Sequence, residues 1–221
     1  MAKNKIDRER LEYFANNFSL SDVIEILSEY SVIHSDLPQI DVRVEARGLQ
    51  DGTKGKIYID NTFAYHARRN TVIHELYHVH DLAYHLHLGE TKVRMVADII
   101  DEKLFSARLM VPETLVDTDK PRLEKIAEGY DLRDIIDTLV DNSVVHIPLP
   151  TEDPAEVRCG LFDYLHRTIY INNLLAYHER RNAVLHEAVH VHNDDHHLGL
   201  THKQIQNVAD IIDKKLFKRP E

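Results

Sequence analysis

The amino-acid sequence predicts an α+β protein built from two copies of one unit, and three observations carry that expectation. The whole chain repeats itself once, helical and strand periodicities alternate in the same order in each copy, and each copy carries the same short histidine motif on an apolar helical stripe.

The repeat emerges when the chain is slid against itself by 112 residues, which places His74 on His186. With no gap, the same shift carries Ser31-Val32-Ile33-His34 onto Ser143-Val144-Val145-His146 and Ile57-Tyr58-Ile59 onto Ile169-Tyr170-Ile171. It also carries Val96-Ala97-Asp98-Ile99-Ile100-Asp101 onto Val208-Ala209-Asp210-Ile211-Ile212-Asp213. So long a period means domain-sized units, 1–112 and 113–221, and excludes a solenoid. Each unit is long enough for one modest core. No Pro/Gly/Ser-rich linker separates them, and Val111-Pro112-Glu113-Thr114 runs almost directly into the second copy. The copies are therefore expected to pack closely, about a pseudo-twofold axis like that of an isologous dimer.

Within a unit the elements read helix, helix, strands, helix, helix. Leu11, Phe14 and Ala15 are spaced for a first helix, and Ser21 as N-cap precedes a second carrying Val23, Ile24 and Leu27. Val42 and Val44 alternate with Arg43 and Glu45, which predicts a strand over 40–46. Asp51-Gly52 supplies turn chemistry before a strand over 56–60. Val72, Ile73, Leu76 and Val79 form an apolar stripe on a helix over 68–81, and Val93, Val96, Ala97, Ile100, Leu104 and Phe105 form another over 91–110. The second copy repeats the plan, with Thr201 and Gln204 as a capping box before its last helix. Each unit is thus expected to hold a small, mostly antiparallel sheet packed against its helices.

Composition narrows the function classes. A net charge of −10 argues against a surface built to neutralise nucleic-acid phosphates. No apolar run approaches membrane-spanning length, and the start MAKNKIDRERLEYF lacks the apolar core of a signal peptide. The only cysteine, Cys159, fits a reducing compartment, so a cytoplasmic protein is expected. The sixteen histidines are the compositional outlier, and many recur at matched positions.

His74-Glu75-Leu76-Tyr77-His78 and His186-Glu187-Ala188-Val189-His190 both fit HExxH. Residues four apart lie one helical turn apart on one face, so both imidazoles of a motif can reach one metal, with the glutamate beside them as general base. Zinc held by three protein ligands keeps a fourth position for water and lowers its pKa. For the third ligand the last helix offers Asp98 or Asp101, matched by Asp210 or Asp213, three apart among apolar residues. His85 and His197 are rivals that an unbroken helix would carry two turns away. His80 and His192 read as polar helix surface. Tyr65-His66 and Tyr177-His178 read as oxyanion helpers or as packing at the helix start, and Arg68-Arg69-Asn70 and Arg180-Arg181-Asn182 as structural ion pairs.

The stretch IYID…RRNTVIHELYH followed by DEKLFSARLMVPE resembles the ImmA/IrrE family of gluzincin-like zinc metallopeptidases. The resemblance implies a zincin-like unit in each copy, one Zn2+ per repeat and two per chain. It places Asp101 at the family's acidic ligand, with Phe105 and Leu109-Met110-Val111-Pro112 in step, and Asp213 with Phe217 in copy two. Asp stands where the family has Glu, and Tyr77 or Val189 where a Gly is common. The helical pair Leu123–Ala127 and Leu132–Leu139 resembles the helix-turn-helix-like segment of relatives, but its Asp131, Asp134, Asp137 and Asp141 argue against DNA.

The implied activity is cleavage of a protein or peptide substrate, such as a repressor, by metal-activated water. Its residues would be His74, His78 and Asp101 with Glu75, and His186, His190 and Asp213 with Glu187. A substrate strand would add to the sheet at 56–60 or 168–172. The alternative is a non-catalytic metal-binding regulatory or interaction protein.

Overall fold

The computed structural model describes residues 2–37, 47–106, 119–150 and 158–217. The first copy contributes α1 (Ala2–Asn16), α2 (Leu20–Glu29), β1 (Ser31–Ser35), β2 (Gly48–Asp51), β3 (Lys56–Asp60), α3 (Tyr65–Ala83) and α4 (Glu90–Phe105). The second contributes α5 (Asp119–Gly129), α6 (Leu132–Asp141), β4 (Ser143–Ile147), β5 (Gly160–Asp163), β6 (Thr168–Asn172), α7 (Tyr177–Asp195) and α8 (His202–Leu216). The expected α+β class is what the chain forms. The expected strand at 40–46, the junction at 111–114 and the end of the helix over 91–110 lie wholly or partly outside the described residues.

Local chemistry sets the helix starts. α2 is capped by Ser19, two residues before the expected Ser21: its hydroxyl takes the Asp22 N–H, and the Asp22 carboxylate accepts the Ser19 N–H at 2.8 Å. Asp131 and Asp134 make the same reciprocal box at α6, so the cap survives a change of residue between the copies. Thr201 and Gln204 cap α8 as the sequence predicts.

The strands form one mixed sheet in the order β2-β3-β1-β4-β6-β5, not a small antiparallel sheet in each unit. β1 runs parallel to β3 and β4 parallel to β6, while β2 and β5 lie antiparallel on the outside. The expected docking strands at 56–60 and 168–172 are therefore interior, with Ile57, Ile59, Ile169 and Ile171 buried. Among the described strands the outermost are β2 and β5, short strands in which Leu49 and Leu161 face solvent.

The two halves meet where β1 and β4 pair antiparallel, Val32 opposite Val144. The hydrogen bonds of the seam histidines are reciprocal, as a twofold arrangement requires. The His34 N–H donates to Ser143 Oγ and the His146 N–H to Ser31 Oγ, each at 3.1 Å. The His34 ring Nε2 lies 2.8 Å from the Leu139 carbonyl in α6, and His146 Nε2 lies 2.8 Å from the Leu27 carbonyl in α2.

The second helix of each copy also packs on the long helix of the other, α2 on α7 and α6 on α3. Arg68 donates to the Val140 carbonyl and pairs with Asp141, and Arg180 donates to the Ser28 carbonyl. These cations sit at helix C-termini, where carbonyls lack intrahelical partners and the dipole is negative. The buried side chains accordingly form one continuous core through both copies. No helix among the described residues is long and apolar enough to cross a membrane.

The seam histidines have a testable cost. Replacing His34 or His146 by Leu leaves a buried carbonyl without its donor, so each should lose about 1–3 kcal/mol in urea unfolding. Burial holds both imidazoles below their ordinary value, against the partial support of the carbonyl bond. The unfolded chain therefore binds more protons on them below about pH 6.5, and their contribution, full above that pH, is lost as the pH falls. The double Leu variant should show a shallower loss of stability between pH 7 and 5 than the wild type.

Candidate metal centres

α3 and α7 present their HExxH residues as the motif requires. His74 Nε2 and His78 Nε2 stand 3.0 Å apart, and His186 Nε2 and His190 Nε2 3.1 Å apart. In each copy a third donor comes from the first residue of the following helix. Glu90 places Oε2 3.0 Å from His78 Nε2 and Oε1 3.3 Å from His74 Nε2. In copy two His202 Nδ1 lies 3.1 Å from His190 Nε2. Ligands about 2.0–2.1 Å from a tetrahedral ion stand about 3.3 Å from one another, so these separations fit donors that could surround one small divalent ion. The triads His74-His78-Glu90 and His186-His190-His202 each have their donor atoms within 4.8 Å of one another.

The aspartates expected as third ligands are engaged elsewhere. Arg69 grips Asp101 with Nε at 2.6 Å and Nη2 at 3.1 Å, and Arg181 grips Asp213 at 2.8 and 3.3 Å. Each guanidinium also covers an aromatic ring, Arg69 over Phe105 at 3.9 Å and Arg181 over Phe217 at 3.7 Å. The acidic residue with Phe four positions on is thus an arginine clamp that fastens the last helix to the long one. Asp98 and Asp210 accept from the amides of Asn70 and Asn182 at 3.0 and 3.2 Å. Glu90 and His202 went unrecognised because identities drew the repeat, and here the matched residues differ. The signal was a ligand-type residue at one repeat position in both copies, 12 residues after the second histidine.

The path to these ligands explains why the rivals fail. The long helices stop at Ala83 and Asp195, and His85, His87 and Gly89 then take positive φ values of 53°, 54° and 73°. This tight turn swings the chain back so that the start of the next helix, not His85 or His197, brings the third donor to the motif.

Glu75 and Glu187 are buried beside the triads, under the edge strands. A Cβ at Gly48 would lie 2.6 Å from Glu75 Oε1, and one at Gly160 2.7 Å from Glu187 Oε1. Only glycine lets the strand backbone cross so close to the carboxyl. Burial, helped by the Glu90 carboxylate, pushes Glu75 up to about 8. Burial pushes Glu187 to about 7, partly offset by the Phe162 backbone N–H. Burial also lowers His74 and His186, the latter to about 4, with the neighbouring histidines adding to it. These rings are therefore kept in the neutral form that ligates a metal.

No family model matches this chain, and neither curated proteins nor solved structures return a match. The chemistry of the site thus rests on its own geometry.

Several neighbouring expectations resolve plainly. Tyr65 donates to Asp137 at 2.5 Å across the seam, a packing role and not an oxyanion one. Arg68 and Arg69 make the expected structural ion pairs. His80 is not helix surface: it is buried, edge-on to Phe18, because α2 lies over that face of α3. A cavity of about 220 Å³ opens beside the first triad, lined by Gln50 of β2, His78, Asp81, Leu82, His85 and His87.

Gly48→Ala and Gly160→Ala should each force the buried glutamate aside and cost about 1–3 kcal/mol by overpacking. Thermal unfolding checks the loss.

Proposed function

We propose that this chain is a zinc-dependent metallopeptidase with two centres, and that each hydrolyses an extended protein segment. The observation that carries the reading is a buried glutamate set between a three-donor triad and the outermost described strand, twice in one chain. Zinc held by His74, His78 and Glu90, or by His186, His190 and His202, would supply a Lewis acid that activates water and polarises a carbonyl.

The chain's own residues do the rest. Glu75 and Glu187 stand where they can take the proton of the attacking water and return it to the leaving amine. Among the described strands β2 and β5 are outermost, and a substrate strand added there would run directly past the glutamates. The substrate edge is thus β2 or β5, in place of the interior strands first expected. The reading keeps the peptidase chemistry that the ImmA/IrrE resemblance implies and changes its third ligand.

Two measurements test this. Metal analysis should find zinc at both centres, with one ion lost in His74→Ala and one in His186→Ala. Glu90→Ala and His202→Ala should lower zinc affinity, whereas Asp101→Asn and Asp213→Asn should keep it and lose stability; the reverse pattern would restore the aspartates as ligands.

For catalysis, Glu75→Gln with Glu187→Gln should keep zinc and lower peptide cleavage by about 10²–10⁴-fold. Undiminished cleavage in that double variant would sink the mechanism. Zinc binding with no cleavage of any unfolded protein by the wild type would leave a metal-binding regulatory protein as the better reading.

A further inference from the structure

Among the described residues a third group of metal-type side chains lies away from both HExxH centres, in copy two and not in copy one. Asp134 of α6, His192 of α7 and His196, the residue that ends α7, hold their donor atoms within 4.8 Å of one another. We propose that these three residues form an accessory site for a divalent transition cation, zinc as the first choice, which staples α6 to the helix that carries His186, Glu187 and His190.

The residues are set for it. Asp134 Oδ1 faces His192 Nδ1 at 3.6 Å. The other carboxylate oxygen is already satisfied by the Asp131 N–H of the capping box at 2.7 Å, so Oδ1 is the one left for a cation. The His192 ring is held edge-on by Tyr130, with centroids 5.2 Å apart. His196, one helical turn on, brings its ring centroid to 4.4 Å from that of His192. It is exposed, so a side-chain rotation closes the triad and gives the ion its route from solvent. Two imidazoles and one carboxylate favour zinc, nickel or copper over magnesium or calcium, which prefer all-oxygen sites.

Copy one supplies the internal control. Asp22 and His80 occupy the equivalent places at the same 3.6 Å separation, but position 84 is tyrosine where copy two has His196. The Tyr84 hydroxyl donates to Asp22 Oδ1 at 3.3 Å and so covers the oxygen that a cation would need. The same scaffold thus carries a closed hydrogen-bonded version in one half and an open ligand set in the other.

The test is a count of zinc ions bound by metal-free full-length protein in calorimetric titration. Wild type should bind one more zinc than His196→Tyr, a substitution that copy one already tolerates at the matched place. His196→Gln serves as second variant should the tyrosine disturb the helix end. Tyr84→His should bind one more than wild type. Being differences, these counts stand whether or not the HExxH centres take zinc. Equal stoichiometry in wild type and both His196 variants would overturn the site. No gain in Tyr84→His would overturn the claim that residue 84 alone withholds it from copy one.

Discussion

The antiparallel contact of β1 with β4 is the constraint on which the rest of the molecule hangs. It turns two three-stranded pieces into one sheet and places the second helix of each copy over the long helix of the other. The reciprocal bonds of His34 and His146 to helix-end carbonyls, and of Arg68 and Arg180 to the same helix ends, close what the strand pairing begins. Each candidate metal helix is therefore backed by the opposite half of the chain. A change at the seam reaches both centres, although neither lies there.

Within each half, three modest devices assemble the centre. The arginine clamp fixes the last helix against the long one, the left-handed turn aims the start of that helix at the motif, and a glycine lets the edge strand press on the glutamate. None of these residues would touch the metal. They bring donors on separate elements to a spacing that could hold a metal ion, the kind of support that metal ligands generally need. The two centres then differ by one unit of charge, since Glu90 is an anion and His202, as a ligand, is neutral. The second would leave more positive charge on its ion.

Much of this was legible in the sequence. The long period, the helix stripes, the HExxH pairs and the strand at 56–60 are local or repeated patterns, and the chain forms them. The sheet was harder, because β1 and β2 are four or five residues long and Ser31-Val32-Ile33-His34 carries no clean alternation. Parallel pairing and edge position are set by contacts distant in sequence, which no local pattern encodes. The donors Glu90 and His202 were hidden from the sequence for a related reason. Asp101 carries the family-like spacing, and only its guanidinium partner, 32 residues away, shows that its oxygens are spoken for.

The seam has a further consequence. A half-length chain with this fold would have to meet a twin to cover its long helix, and every substitution in it would then appear twice. Joined in one polypeptide, the halves can be altered one at a time. Glu90 against His202 and Tyr84 against His196 are differences of that kind, at equivalent points on an otherwise matched frame. Fusion here gives a single gene product two donor clusters free to drift apart in chemistry while their common foundation stays symmetric.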